Sequence, residues 1–295
     1  MSTLTVQALQ PFVRLAVKFS PAFPRLWGYV VKVRKHYAQS RPPLEIETVF
    51  EGDIKVRTLL SDHIEAQLFW QGFQEADEGV LRLIKQHLPP DGIFIDIGAN
   101  IGSFTLVAAR IAPRGKVHAF EPSDHHFTRL SKNVGLNHFE NVVLNKQGLN
   151  DKTECATLFL PSLSGEMNNS GAASLYSSTD VPGMQVTEEV ELITLDDYVQ
   201  ANKINQVDLI KIDIEGAEFN ALKGSIETLK RFRPIVLMEL DLDNMQRAQC
   251  SPNEILDFWH TLNYRVGKIK DSGESIPINS AADLIQHQNL MCQPA

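Results

Sequence analysis

Gly92-Ile-Phe-Ile-Asp-Ile-Gly-Ala-Asn-Ile-Gly-Ser-Phe-Thr-Leu-Val-Ala-Ala-Arg110 is the stretch that decides the fold of this 295-residue chain. It begins with an apolar run, 93–97, that closes on Gly98, which is typical of a buried parallel strand. From Ser103 the apolar residues recur every three or four positions, which predicts a helix. The chain therefore turns from strand to helix between Gly98 and Gly102, where glycine permits close contact with a ligand and the helix start attracts an anion.

Acidic residues stand at the ends of this strand and of the next one. Asp96 precedes the turn 98–102, and Glu121 follows the apolar segment 116–120, which predicts a second parallel strand. An acid at that edge of a doubly wound sheet binds the ribose hydroxyls of a nucleoside cofactor. Dinucleotide binders use Gly-x-Gly-x-x-Gly against a pyrophosphate, whereas the spacing here suits a smaller anion, such as a methionine carboxylate. We therefore expect S-adenosylmethionine as the cofactor.

Composition and charge narrow the class of protein. Hydrophobic residues make up 43% of the chain and charged residues 22%, as in ordinary globular proteins. Without a membrane-length apolar run or a signal-peptide pattern, the expected location is cytoplasmic. The three cysteines are far apart and include no Cys-x-x-Cys pair, so they suggest neither a disulfide framework nor a zinc site.

The net charge of −8 is unevenly distributed. Residues 1–44 contain seven basic and no acidic residues, which leaves the remainder with a net charge of −15. An acidic core argues against nucleic acid as a partner and favours a small-molecule acceptor. Segments 8–20 and 25–37 predict two basic amphipathic helices, which act either as a peripheral membrane or partner contact or as a helical lid with its basic face in water.

The chain around the cofactor unit divides into further predicted parts. Residues 45–90 predict a strand pair and then a helix, and 91–295 predict the cofactor-binding domain. Gln147 and Asn150 follow a third strand, where they would flank the adenine or form a plain turn. The segment 152–192 interrupts the alternation and predicts a β insertion that gates the substrate. The polar side chains of its loop would orient a polyol acceptor or only solvate a turn: Asn168, Asn169 and Ser170.

A second acidic cluster follows the fourth predicted strand, 207–213. Asp213, Glu215 and Glu218 lie within six residues and would repel one another without a cationic partner, for which a methyl sulfonium qualifies. A salt-bridged or helix-capping cluster is the alternative. Another acid, Glu239, ends the fifth predicted strand.

If the acceptor of such a methyl group is a hydroxyl, it needs a base as charge leaves the oxygen. Asp213 and Glu215 are the first candidates and Glu239 is the next, with His125 and His126 as alternatives. A Mg²⁺ ion held by Asp213 and Glu239 would lower the acceptor pKa instead. The favoured hypothesis uses no metal.

These motifs resemble the FkbM family of methyltransferases. The matching pieces, between about 70 and 290, are Phe94–Gly102, Ala119–Pro122, Thr194–Asp196, Ile210–Glu218 and Met238-Glu239. The resemblance implies an α/β, class I methyltransferase (Rossmann-like) fold: a seven-stranded, mostly parallel, doubly wound sheet with an N-terminal helical extension and a β insertion. It also implies S-adenosylmethionine-dependent O-methylation of a sugar, polyketide or lipid-linked small molecule. The resemblance implies Asp96, Gly98, Asn100 and Glu121 as cofactor-binding residues and Asp213 beside the reacting methyl. Gly102 is expected to contact the cofactor as the second glycine of the turn.

Two other functions remain open at this point. A nicotinamide-dependent oxidoreductase has a similar sheet but needs a pyrophosphate turn that this sequence lacks. A non-catalytic, membrane-associated binding protein would use residues 1–44 as its working part.

Overall fold

The computed structural model describes residues 3–19, 22–40, 42–72, 77–161, 171, 173–176 and 184–295. The described residues fall into two compact units, one from 1–75 and 161–172 and the other from 76–160 and 173–295. Among the described residues, no helix is long and apolar enough to cross a membrane.

The first unit packs three helices with a two-stranded hairpin. Its elements are α1 (Thr3–Phe19), α2 (Pro24–Ala38), β1 (Glu45–Phe50), β2 (Ile54–Leu59) and α3 (His63–Gln71). The strand pair predicted near residue 52 is present as β1 and β2, which are antiparallel. Alternate β1 residues are buried, as expected of a strand with one face on a core. That core includes Val13, Val30 and Trp70, so it unites both N-terminal helices with α3.

The second unit alternates strands and helices. Its first half contains α4 (Glu78–His87), β3 (Ile93–Ile97), α5 (Ser103–Ile111), β4 (Lys116–Phe120), α6 (Asp124–Leu136), β5 (Val142–Asn145), β6 (Gly148–Leu149), β7 (Glu154–Pro161) and β8 (Met184–Ile193). Its second half contains α7 (Leu195–Ala201), β9 (Leu209–Ile212), α8 (Glu218–Lys223), α9 (Ile226–Phe232), β10 (Ile235–Asp241), α10 (Leu242–Arg247), α11 (Pro252–Thr261), β11 (Tyr264–Ile269), β12 (Ser275–Pro277) and β13 (His287–Pro294).

The central sheet has the order β12-β11-β13-β10-β9-β3-β4-β5. The five strands from β10 to β5 are parallel, and β13 runs antiparallel to both β10 and β11. The α/β, mostly parallel, doubly wound sheet is therefore confirmed. The predicted count of seven strands is wrong for the described residues, because β12 adds an eighth. The strand β12 has only three residues, one of them a proline, which is too few to show an alternation of apolar and polar residues. The sequence therefore did not predict this edge strand.

The direction of winding reverses between β3 and β9. From β3 the chain proceeds outward through β4 and β5, and it then returns to β9 on the opposite side of β3. Ligands of open α/β sheets bind in the crevice beyond the carboxyl ends of the strands at such a point. The candidate site therefore lies where β3, β9 and β4 end.

Two strands of the predicted β insertion, β7 and β8, form a separate three-stranded sheet with β6, which precedes the insertion, in the order β6-β8-β7. Leu158, Val190 and Leu192 make its small apolar core. Ser174 pairs with Phe159 through an isolated antiparallel bridge. The three polar residues predicted to orient an acceptor lie outside the described residues: Asn168, Asn169 and Ser170.

Candidate active site

The strand-to-helix corner begins at a buried acid. Asp96 is fully buried in β3, and Thr105 Oγ1 donates a hydrogen bond of 2.5 Å to its Oδ2. Burial raises the pKa of Asp96 above its ordinary value, partly opposed by the Lys211 charge and the Thr105 hydrogen bond. The nearby Glu121 charge also raises the pKa of Asp96, so the two acids of adjacent strands face a common region.

Three residues of the corner have left-handed backbone conformations. Gly98, Asn100 and Gly102 have φ values of 81°, 51° and 99°. A Cβ on Gly98 would lie 1.9 Å from the Asp213 carbonyl oxygen, because the backbones after β3 and β9 touch at this point. Glycine is therefore required here both by the backbone conformation and by the space.

Glu121 holds the corner from the neighbouring strand. Its Oε2 accepts a hydrogen bond from Asn100 N at 2.8 Å, and its Oε1 accepts one from Ser123 N at 3.0 Å. A carboxylate has about four lone-pair sites, so two remain for other donors. Of the two histidines that follow, His126 is buried with its Nδ1 3.8 Å from Glu121 Oε1, whereas His125 is exposed.

A buried lysine supplies positive charge beneath the site. Lys211 lies in β9 directly opposite Asp96 in the β3–β9 pairing, and its Nζ donates to Asp213 Oδ2 at 3.0 Å. Although burial opposes it, the surrounding acids Asp213, Asp96 and Asp77 raise the pKa of Lys211 well above its ordinary value. The sequence analysis missed this residue. Its signal was a charged side chain between the apolar Ile210 and Ile212, because a buried lysine needs carboxylate partners.

Asp77 was missed as well. It immediately precedes α4, and burial followed by the Asp213 charge raises the pKa of Asp77 to about 6. Its side chain is hydrogen bonded to Asn289 of β13. Nothing near Asp77 in the sequence indicates that it lies beside β9, so only the tertiary structure places it there.

Three acids come together at the carboxyl ends of β9 and β10: Asp213, Glu215 and Glu239. One carboxylate oxygen of each lies within 4.8 Å of the others, so these side chains have the spacing that could hold a metal ion. Glu239 is not the end of its strand as predicted, since β10 continues to Asp241. It meets Asp213 because the parallel pairing of β10 with β9 stops one residue earlier, at Met238.

The three acids differ in protonation. Although burial opposes it, Lys211 keeps the pKa of Asp213 below its ordinary value, so Asp213 is ionised at neutral pH. Burial and then the Asp213 charge raise the pKa of Glu239 to about 11 and that of Glu215 to about 8. Glu239 is therefore protonated and hydrogen bonded to Asp213, while Glu215 is close to its transition.

The loop after β9 is held by protein contacts. Asn244 Nδ2 donates to Glu215 Oε2 at 2.8 Å, and Ser174 Oγ of the insertion donates to the Glu215 carbonyl oxygen at 2.7 Å. Glu218 accepts backbone hydrogen bonds from Ile214 and Gly216 at 3.0 to 3.1 Å. Of the three acids in the predicted cluster, Glu218 thus closes the loop, and a ligand contact of Asp213 or Glu215 stays a prediction.

The two residues predicted near the adenine differ in environment. Gln147 is half-buried between β5 and β6. Asn150 is buried, its Nδ2 donates to Glu154 Oε1 at 2.9 Å, and its backbone N donates to Ile193. Contact of either side chain with a cofactor stays a prediction.

Comparison with known proteins agrees with this geometry. The family described as the methyltransferase FkbM domain matches residues 96–266, which include the corner, Glu121, Lys211 and the acidic cluster. This chain belongs to the FkbM methyltransferase family. Its sheet is mostly parallel, as the resemblance implied, with β12 and β13 running antiparallel to the other strands.

Three curated relatives illustrate the similarity. "Methyltransferase 1" of Beauveria bassiana is 31% identical over 46% of this chain and 59% of its own length. The "2-O-methyltransferase NoeI" of Sinorhizobium fredii is 28% identical over 57% of this chain and 71% of its own. The "31-O-demethyl-FK506 methyltransferase FkbM" of Streptomyces tacrolimicus is 30% identical over 53% and 68%. The chain thus spans about three fifths to seven tenths of the length of these relatives.

Proposed function

We propose that this FkbM-family methyltransferase uses S-adenosylmethionine to methylate a hydroxyl of a sugar, polyketide or lipid-linked small molecule. The observation that carries the proposal is the meeting of the glycine corner after β3 with the Asp213 backbone after β9, flanked by Glu121. A turn suited to an anion, an acid suited to ribose hydroxyls and a carboxylate cluster therefore lie at one switch point. Relatives whose names specify O-methylation support the choice of a hydroxyl acceptor.

The residues present fit the cofactor. Within the described part of the chain, Asp96 Oδ1 and Asn100 Oδ1 are buried acceptors without a hydrogen-bond donor, which suits the ammonium of a methionine moiety. Glu121 retains lone pairs for the ribose hydroxyls, with Gln147 and Asn150 as the predicted adenine contacts. Lys211 balances the charge of Asp213, so ionisation of Glu215 gives the acidic cluster a negative charge that suits a sulfonium. When bound, S-adenosylmethionine supplies an electrophilic methyl group.

Among the three acids, the structure favours Glu215 as the general base. Asp213 is a weak base because Lys211 stabilises its ionised form, and Glu239, with a pKa of about 11, stays protonated through the pH range in which Glu215 ionises. The pKa of Glu215, about 8, lies near the working range of a base. Asp213 and Glu239 then orient the acceptor and the cationic end of the cofactor.

The cofactor assignment is tested by thermal melting with separate additions of S-adenosylmethionine, S-adenosylhomocysteine and NAD. We expect the first two to raise the melting temperature, since a ligand that binds only the folded state stabilises it, and NAD to leave it unchanged. A shift with NAD alone would overturn the proposal in favour of the oxidoreductase. A tritiated-methyl assay with hydroxyl-bearing acceptors then tests the transfer itself.

Glu215→Gln is expected to lower kcat by about 10² to 10⁴ while S-adenosylmethionine affinity changes little, because the base is lost but the corner is intact. The wild-type kcat/KM should rise with pH and level off above about 8, since Glu215 must be ionised to accept the proton. The rise of kcat/KM with pH should be absent in Glu215→Gln. Glu227→Gln, at an exposed residue of α9, is the matched control.

Unchanged turnover in Glu215→Gln would remove this residue from the chemistry. Asp213→Asn would then be the next variant to assay. Loss of wild-type activity in EDTA, restored by Mg²⁺, would instead assign Asp213, Glu215 and Glu239 to a metal ion.

A further inference from the structure

The N-terminal helices expose an apolar stripe in the first unit. On α1, Phe12, Leu15 and Phe19 recur at helical spacing and are 71%, 55% and 48% exposed. Val6 and Val13, on the opposite side of the same helix, are buried in the core with α3. The helix is thus apolar on two faces, and only one of them is used for folding. A large exposed aromatic stripe indicates an interaction surface.

The same helix pair exposes positive charge. Arg25 and Lys32 of α2 and Lys18 of α1 are exposed, and residues 1–44 contain no acidic residue. Phe23 and Tyr29 are also exposed, at 61% and 55%. Aromatic side chains beside basic ones are the composition of helices that lie in the headgroup region of a membrane.

We propose that α1 and α2 form a docking surface for an anionic lipid bilayer. The occupant follows from charge complementarity. The two helices contain six Lys or Arg residues and no Asp or Glu in a protein of net charge −8, and four of the six are exposed: Lys18, Arg25, Lys32 and Lys35. This charge favours anionic headgroups, while Phe12, Leu15 and Phe19 reach into the acyl boundary. This inference stands apart from methyl transfer, because none of its residues belongs to the candidate active site.

The experiment uses the intrinsic fluorescence of the full chain. Of the three tryptophans, Trp70 and Trp259 are fully buried, whereas Trp27 of α2 is 36% exposed. A spectral change on adding vesicles therefore reports Trp27. We expect a blue shift with vesicles of phosphatidylcholine and phosphatidylglycerol in equal parts, and none with phosphatidylcholine alone. The shift should vanish in Trp27→Phe and in about 1 M NaCl, where the Debye length is about 3 Å.

Point variants test the basic residues and the exposed apolar residues of the surface separately. Arg25→Gln with Lys32→Gln should weaken vesicle binding about 25-fold, since each basic residue near an anionic surface contributes about fivefold. Phe12→Ser with Phe19→Ser should abolish it, while Ile285→Ser, a similarly exposed apolar residue of the second unit, should leave it unchanged. These side chains are exposed, so the melting temperature should be retained. Deleting residues 1–44 is unsuitable because Val13 and Val30 belong to the core of the first unit.

A folded wild-type protein that fails to bind anionic vesicles would overturn the proposal. Equal binding to neutral and anionic vesicles would also overturn it, because charge selects the occupant. Light scattering measures the oligomeric state of the wild type and of the double phenylalanine variant. A dimer that Phe12→Ser with Phe19→Ser converts to a monomer, without vesicle binding by the wild type, would assign the surface to a second copy of this chain.

Discussion

Gly98→Ala is expected to weaken S-adenosylmethionine binding and to lower the rate of methyl transfer by about a hundredfold or more. The added Cβ would lie 1.9 Å from the Asp213 carbonyl oxygen and 2.8 Å from Ile214 Cγ2, and the φ of 81° is already unfavourable for alanine. The corner must therefore move away from β9, which displaces the bound cofactor, and a displacement of about 1 Å at a reacting centre can cost about 10²-fold in rate. Isothermal titration calorimetry with S-adenosylmethionine measures the binding, and the tritiated-methyl assay measures the rate.

Gly135→Ala is the matched control for this variant. Gly135 lies in α6 without a left-handed φ, and a Cβ there would meet nothing within 4 Å. We expect unchanged affinity and a free energy of unfolding that is equal or up to about 1 kcal/mol higher, because alanine is the better helix former. If Gly98→Ala bound the cofactor as tightly as Gly135→Ala, the corner would not be the binding site.

Lys211→Met is expected to lower the free energy of unfolding by about 3–5 kcal/mol at neutral pH. Methionine fills a similar volume but leaves Asp213, Asp96 and Asp77 buried without their shared cation, and breaking a buried ion pair on one side costs about this much. Urea denaturation followed by circular dichroism measures the difference.

The pH dependence of the stability difference between the wild type and Lys211→Met distinguishes a loss of charge from a loss of packing. Without Lys211 the folded-state pKa of Asp213 loses its downward shift and rises through burial, and that of Asp96 rises further, so the folded variant binds protons more tightly than the unfolded chain does. The deficit should therefore narrow as the pH falls to about 5. Lys230→Met removes an exposed lysine paired with Glu227 and should change stability by about 0.5 kcal/mol or less. A deficit of equal size in both variants would contradict the role of Lys211.

The predicted elements of the sheet differ in how well the sequence specified them. The strand at 93–97, the helix from Ser103 and the strand at 116–120 were predicted correctly because their apolar spacing and glycine turn are local signals. The edge strand β12 was missed because its three residues make no repeating pattern. The winding that places β9 beside β3 rather than beside β5 followed from the family resemblance, since local periodicity does not determine strand order.

For the candidate site, the sequence identified acids at strand ends but not their chemical states. Asp213, Glu215 and Glu239 have similar intrinsic pKa values, and their separation into an ionised, a titrating and a protonated group depends on burial and on Lys211. Glu121 was predicted as a ribose ligand, and the structure adds that it also fixes the turn through Asn100 N.

By itself, the sequence determined the corner from Asp96 to Gly102, because backbone conformation there depends on neighbouring residues and on glycine. It also determined the family, through motifs that lie in order along the chain. Only the tertiary structure decided that Lys211, Asp77 and the acids after β9 and in β10 share one region. Their electrostatic coupling acts through space, and the residues that take part are far apart in the chain.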